Sequence, residues 1–278
     1  MENKRISFSG LKKWKDCPYK YKINYVDKIS LFNGNEYTAF GTALHAACEV
    51  CVPQNEDNLC EIFEKSFEQE IEKLKNLKVN INLSLLEEMR EQAKNICKYI
   101  LPELHNNFKE FEIISVEEEL MEEISQFESF GTSFKGFIDL VLKTSDGKYH
   151  IIDWKTCSWG WDARRKADKI TNYQLTLYKH YCAKKLGLDP ENVETYFALL
   201  KRTAKKGNKV EFVRVTSGKK RIENALNDLN KALHNITLGN HIKNKSFNFL
   251  TLPSEGASPF SIIVSKSAII LFAVSIFS

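Results

Sequence analysis

The chain has 278 residues, 43% of them hydrophobic and 27% charged, a composition ordinary for a globular protein that excludes a low-complexity or fibrous chain. Its length suits one large domain or two small ones. The net charge of +4 conceals a polarity: residues 1–150 carry 19 Lys/Arg against 26 Asp/Glu, residues 151–250 carry 20 against 9, and residues 251–278 hold one of each. A basic stretch after an acidic one suits a polyanion-binding face, and a solvated lysine-rich surface has the same composition.

The first hundred residues read as mostly helical. Ser7 or Ser9 caps a helix carrying Leu11, Trp14 and Tyr21, and FGTALHAACEV (40–50) is a short apolar helix after Gly41. Phe63, Phe67, Ile71 and Leu74 form one stripe over 60–76. Ser84 and Glu87 make a capping-box pattern for a helix running to Pro102. Cys48 and Cys51 have C-x2-C spacing, but no second pair follows at zinc-ligand spacing, so they read as small buried side chains. Seven cysteines and a start without a signal peptide imply reduced thiols in a cytoplasmic protein.

Three strands are then predicted at 111–124, 133–144 and 149–156, with Ser145-Asp146-Gly147 as a hairpin turn between the last two. Helical spacing returns at 168–187. A buried strand (192–202), an alternating edge strand (209–216) and a helix from Ser217 to about Leu238 complete the order. This implies an α/β fold with a central mixed sheet flanked by helices, preceded by a helical part. We divide it as a helical part over 1–110, a core over 111–245 and an apolar tail over 246–278. The segment 259–278 holds Lys266 and five serines and is barely long enough to span a bilayer. A packed segment, an altered chain end and a membrane tail anchor all fit it.

Two carboxylates and a lysine fall inside apolar strands. Asp139 lies in GFIDLV; Asp153, Trp154 and Lys155 lie in IIDWKT. Buried charge is costly unless paired or metal-bound. With a turn near Asp146, Asp139 and Asp153 come close to opposite one another and can share one cation; oxygen ligands suit Mg2+ or Mn2+. Lys155 projects from the same strand face as Asp153 and can orient or deprotonate an attacking water, or neutralise charge on a phosphoryl transition state. An Asp153–Lys155 ion pair alone is the structural alternative.

G-x-x-D followed by an apolar strand ending in D-x-K resembles the PD-(D/E)XK nuclease superfamily, whose first acid, second acid and lysine match Asp139, Asp153 and Lys155. SFSGLKKWKDCPYKYKINY resembles the opening signature of its RecB-type branch, which includes CRISPR-adaptation exonucleases and many phage nucleases. FGTALHAACE resembles the branch's G-x-x-x-H motif and NYQLTLY its Q-x-x-x-Y motif. The resemblance covers about residues 5–240 and implies a restriction-endonuclease-like core. It makes His45 an additional metal ligand and gives the Trp154 main-chain carbonyl a ligand position. It places Gln174 and Tyr178, which share a helix face, by the phosphate or the acids. It implies a Mg2+- or Mn2+-dependent DNA nuclease, an exonuclease by this branch, acting in recombination, repair or phage DNA processing. Single strands or duplex ends are its substrate, recombination or replication proteins its partners, and oligomers are compatible with it. An inactive DNA-binding or assembly component and a CRISPR spacer-acquisition nuclease are the alternatives. Without the resemblance, His45 reads as a core or capping histidine.

Around this centre, Glu117, Glu118 and Glu119 read first as a solvated acidic strand edge, with Glu119 the choice if one of them is a further ligand. Trp159 and Trp161 either stack on bases or anchor their loop. Lys201, Arg202, Lys205, Lys206 and Lys209 read as a basic loop that tracks a DNA backbone, extended by Lys219, Lys220 and Arg221. Relatives with an iron–sulfur cluster use a cysteine at the position of Cys17 and three near the C-terminus. Here no cysteine follows Cys182, and EGASPF (255–260) stands where C-x2-C-P-F would be. No iron–sulfur cluster is therefore expected, and Cys17 is structural.

Overall fold

The structure, a computed structural model, describes residues 4–29, 32–124 and 131–243. The segment 259–278 and the EGASPF stretch lie outside these residues, and among the described residues no helix is long and apolar enough to cross a membrane.

Strand β1 (Lys4–Ser7) leads into α1 (Phe8–Asp16), α2 (Pro18–Tyr21) and a π-helical turn. The Ser7 hydroxyl accepts from the Gly10 N–H, which closes the first turn of α1. Three long helices follow: α3 (Glu36–Gln54), α4 (Leu59–Asn76) and α5 (Leu83–Phe108). Strands β2 (Phe111–Glu123), β3 (Thr132–Thr144) and β4 (Tyr149–Cys157) come next, then α6 (Ala163–Ala167) and α7 (Lys169–Leu186). Strands β5 (Val193–Lys201) and β6 (Val210–Arg214) and helix α8 (Lys219–Thr237) finish the described chain.

The α/β order expected from the sequence is what forms: a six-stranded mixed sheet between two helical layers. One core packs Phe40, Phe63, Phe67 and Met89 of α3–α5 on Leu140, Ile152 and Trp154. The other packs Leu11, Leu175, Leu177 and Leu229 of α1, α7 and α8 on Ile138, Val141 and Ile151. The stripe read over 60–76 is wholly buried.

Four boundaries differ from the sequence reading. The first helix stops at Asp16, where Cys17 turns extended ahead of Pro18, so Tyr21 lies on α2 and not with Leu11 and Trp14. α3 begins at Glu36, before Gly41, because the Asn35 and Thr38 side chains cap each other's backbone N–H groups. Asn35→Ala is expected to cost about 1 kcal/mol, measured as a lower denaturant midpoint. α5 is capped by Asn82 rather than Ser84. It passes through Pro102, because Leu104 and Phe108 bury beyond it and outweigh the lost N–H. β1 was not foreseen; it pairs parallel to Thr132–Lys135 of β3 and so joins the N-terminal part to the sheet.

The long β3 positions the site. β2 covers one of its edges from Ser133 to Thr144. On the other edge β1 takes Thr132–Lys135 and β4 takes Leu140–Lys143, so neither strand opposes residues 136–139 there. The sheet also changes face at this gap. Strict alternation would put Ile138, Leu140 and Leu142 on one side, yet Ile138 packs with α7 and α8, and Leu140 and Leu142 pack with α3–α5. The neighbouring β2 residue, Glu117, takes a left-handed φ of 49° where the ladder steps from Val116–Leu140 to Glu118–Ile138.

Candidate active site

Asp139 stands at the end of that gap, where pairing of β3 with β4 stops at Leu140–Ile152. The same register carried one step further sets Asp139 against Asp153. There the Asp139 Oδ2 atom accepts the Trp154 N–H at 2.7 Å and lies 3.5 Å from Nδ1 of His45. Asp153, 2% exposed, touches the Lys155 ammonium through Oδ2 and accepts from Gln174 Nε2 at 2.7 Å through Oδ1. Gln174 Nε2 also lies 3.4 Å from the Tyr178 hydroxyl. One network therefore joins His45, Asp139 and the Trp154 main chain, and a second joins Lys155, Asp153, Gln174 and Tyr178. Adjacent strands hold the two side by side.

Helix geometry brings in the outer partners. Gly41 lies one turn before His45, and a Cβ there would meet Thr156 Oγ1 at 3.2 Å, so the glycine lets α3 approach the end of β4. Gly136 does the same for α7: a Cβ would lie 2.8 Å from Cε1 of Tyr178. A cleft of about 400 Å³, lined by Gly41, Thr42, His45, Ala46, Glu49 and Glu117, opens onto the histidine. Another cavity, of about 390 Å³ between α7 and α8, shares no residue with this constellation.

Burial, then the neighbouring Asp153 charge, pushes the Asp139 carboxyl well above the usual range, and Lys155 offsets only part of this. Burial and the Lys155 charge push His45 down. The His45–Asp139 contact is thus one between groups driven toward their neutral forms rather than a full ion pair, despite its distance. A raised carboxylate pKa means that the folded chain holds its proton longer than the unfolded one, so this group's contribution to stability falls as pH rises above about 3.8, its ordinary value. Asp139→Asn is accordingly expected to raise the melting temperature of the metal-free protein at pH 7 and to leave it unchanged at pH 3, by thermal denaturation in chelator.

The donors fit a hard divalent cation. Asp153 is buried, with the Lys155 ammonium against Oδ2 and the Gln174 amide on Oδ1. Two adjacent buried carboxylates repel, and a cation relieves both. Among the described residues no three His, Cys, Asp or Glu side chains close on a single point. The two acids face different partners here, and a shared cation has to draw them together.

Other expected residues fall elsewhere. Lys201 does not reach a backbone: it is 1% exposed and held by Asn208 and Glu211, because it continues the apolar run of β5 into the interior. Lys209 is also buried, donating to the Arg202 carbonyl. Lys205 and Lys206 are exposed at the loop tip, as are Lys219, Lys220 and Arg221 at the start of α8. Trp161 is a core anchor, packed on Phe197 with ring centroids 4.8 Å apart. Trp159 is exposed. Glu119 pairs with Lys135 and Glu118 with Lys185, so the glutamate facing the site is Glu117. Burial, Glu49 and Asp153 raise its carboxyl pKa. Sequence parity among three consecutive glutamates could not select it, since the irregularity at Glu117 itself sets the parity.

The family model of the PD-(D/E)XK nuclease superfamily matches residues 5–249, and the chain belongs to that superfamily. Among solved structures, it is similar to a candidate exonuclease of Eubacterium rectale, at 13% identity and a TM-score of 0.49, over 91% of this chain and 94% of that one. It is also similar to the protein SSO0001, at 12% identity and a TM-score of 0.31, over 82% and 84% of the two chains. No curated protein sequence matches it.

Proposed function

We propose that the chain is a divalent-cation-dependent DNA nuclease, with Asp139, Asp153 and His45 as cation ligands and Lys155 as the catalytic amine. The observation that carries this reading is the buried Asp153 carboxylate, set beside Asp139 with an ammonium against it. Asp and His donors suit Mg2+ or Mn2+, and the imidazole favours Mn2+; by the family pattern the Trp154 carbonyl would be a further ligand. A cation bound there polarises the phosphodiester and offsets charge on the leaving 3′ oxygen.

The chain's own groups do the rest. Lys155 is anchored by Asp153 and half-exposed, so its ammonium orients the attacking water and meets the charge that develops at phosphorus. Gln174 fixes the second Asp153 oxygen, which aims the first. Tyr178 holds Gln174 in turn. His45, kept neutral, has a lone pair to give. In-line displacement of this kind leaves a 5′-phosphate.

End-labelled single- and double-stranded oligonucleotides incubated with Mn2+, with Mg2+ or with EDTA test the reading. Cation-dependent degradation abolished by EDTA is expected. Intact DNA in every cation condition would refute nuclease activity and favour a DNA-binding component with the same fold.

A further inference from the structure

Immediately past Lys155 the chain builds a second feature that cation chemistry does not use. A pocket of about 350 Å³ is lined by Thr156, Cys157, Ser158, Trp159, Gly160, Tyr37, Arg165 and Arg202. Thr156 follows Lys155 directly, so the pocket begins about 3.3 Å of strand beyond the lysine.

Its walls are held rigidly. The Arg202 and Thr203 N–H groups donate to the Cys157 and Ser158 carbonyls, each at 2.9 Å, which fixes the loop to the end of β5. The Arg202 guanidinium donates to Ser158 Oγ at 2.9 Å and to Gln92 Oε1 at 3.2 Å, and lies 4.7 Å over the Tyr37 ring. Two of its five N–H donors are thereby used, and both acceptors are neutral. Arg165 lies 4.6 Å over the Trp161 ring, and that ring is locked on Phe197. Among the described residues neither guanidinium pairs with a carboxylate.

On this fixed floor two aromatic rings stay open to solvent: Trp159 is 75% exposed and Tyr37 49%. Gly160, at φ 119°, supports the turn that presents Trp159, and a Cβ there would press on Lys201 Cδ at 3.1 Å. Single exposed aromatics are common. Two in one pocket with two uncompensated guanidiniums are the combination that binds unpaired nucleotides: π-faces for bases and fixed cations for phosphates. Inside a duplex a paired base is stacked on both sides and has no free face to offer such a ring.

We propose that this pocket is a single-strand subsite, in which an unpaired nucleotide next to the scissile linkage stacks its base on Trp159 and sets its phosphate against Arg202 and Arg165. The subsite rests on the nuclease reading for its placement, and it makes unpaired DNA the preferred substrate form. Of the other basic side chains first read as a strand track, Lys201 and Lys209 lie inside the fold and take no part, while Lys205 and Lys206 are exposed at the loop tip.

Binding measured in EDTA separates this proposal from catalysis. A labelled oligothymidylate and a blunt duplex are titrated by fluorescence anisotropy against the full-length wild type, Trp159→Ala, Trp159→Phe and Arg165→Gln. Trp159→Ala is expected to weaken oligothymidylate binding about tenfold and to leave duplex binding within about twofold. Trp159→Phe recovers most of the loss, and Arg165→Gln flattens the salt dependence for the single strand. The wild-type tryptophan emission is quenched by oligothymidylate, and that quenching disappears in Trp159→Phe. Unchanged single-strand affinity in Trp159→Ala, or an equal loss on single strand and duplex, overturns the proposal. If this binding pattern holds while no cation supports cleavage, the nuclease reading fails and the subsite stands. If cleavage is intact and Trp159→Ala does not alter binding, the subsite fails alone.

Discussion

Asp153→Asn is expected to lower Mn2+-dependent DNA cleavage at least about a hundredfold while the protein stays folded. The substitution keeps the shape of the side chain and the oxygen that accepts from Gln174 Nε2. It removes the charge that touches Lys155 and raises the Asp139 carboxyl pKa. Taking one of two repelling buried carboxylates away relieves the fold, so the melting temperature in chelator should hold or rise. Lys155→Ala should lose as much cleavage for another reason: the ammonium is gone, and Asp153 is left buried without its counter-ion. Its stability loss should therefore be larger in EDTA than in Mn2+. Both comparisons come from circular-dichroism melts run beside an end-labelled cleavage assay. Cleavage by either variant at the wild-type rate would remove these residues from the chemistry.

Gly136→Ala should have the next largest effect, and it acts through shape alone. The added methyl would stand 2.8 Å from Cε1 of Tyr178, a ring packed between β3 and α7 and hydrogen-bonded through Gln174 to Asp153. Ring and strand cannot both stay in place, so a cost of roughly 1–3 kcal/mol is expected, with a fall in cleavage as Gln174 moves. In a Tyr178→Ala background the same methyl meets only Phe134 Cε1, at 3.3 Å, and should cost less than in the wild type. Urea denaturation of the four proteins in this cycle decides it. An equal cost in both backgrounds would mean that the glycine serves the strand backbone and not the approach of the tyrosine.

Much of this arrangement was legible in the chain because it is local. The hairpin that sets Asp139 against Asp153 follows from two apolar runs around Ser145-Asp146-Gly147, and the register found, Leu140 with Ile152, is the one that turn dictates. Gln174 and Tyr178 share a helix face by spacing, and both join the Asp153 network. What was hidden depends on contacts far apart in sequence. The four residues of β1 are too few to show a period, and only pairing with β3 makes them a strand. The face change at Asp139 and the left-handed Glu117 arise because three strands compete for the edges of β3. Lys201 was misread from charge, although it extends the buried alternation of β5 and its N–H pairs with the Lys209 carbonyl. Pattern outranked charge there, since a lysine can be buried when Glu211 and Asn208 complete its contacts.

The central claim is that Asp139 and Asp153 jointly hold one divalent cation. Titrating Mn2+ into the chelator-stripped, full-length chain and following the free-ion signal by electron paramagnetic resonance tests it without reference to turnover. Wild-type protein should deplete the free Mn2+ signal stoichiometrically, and Asp139→Asn and Asp153→Asn should each abolish that depletion. Undiminished Mn2+ uptake by both variants would place any cation elsewhere and contradict the account.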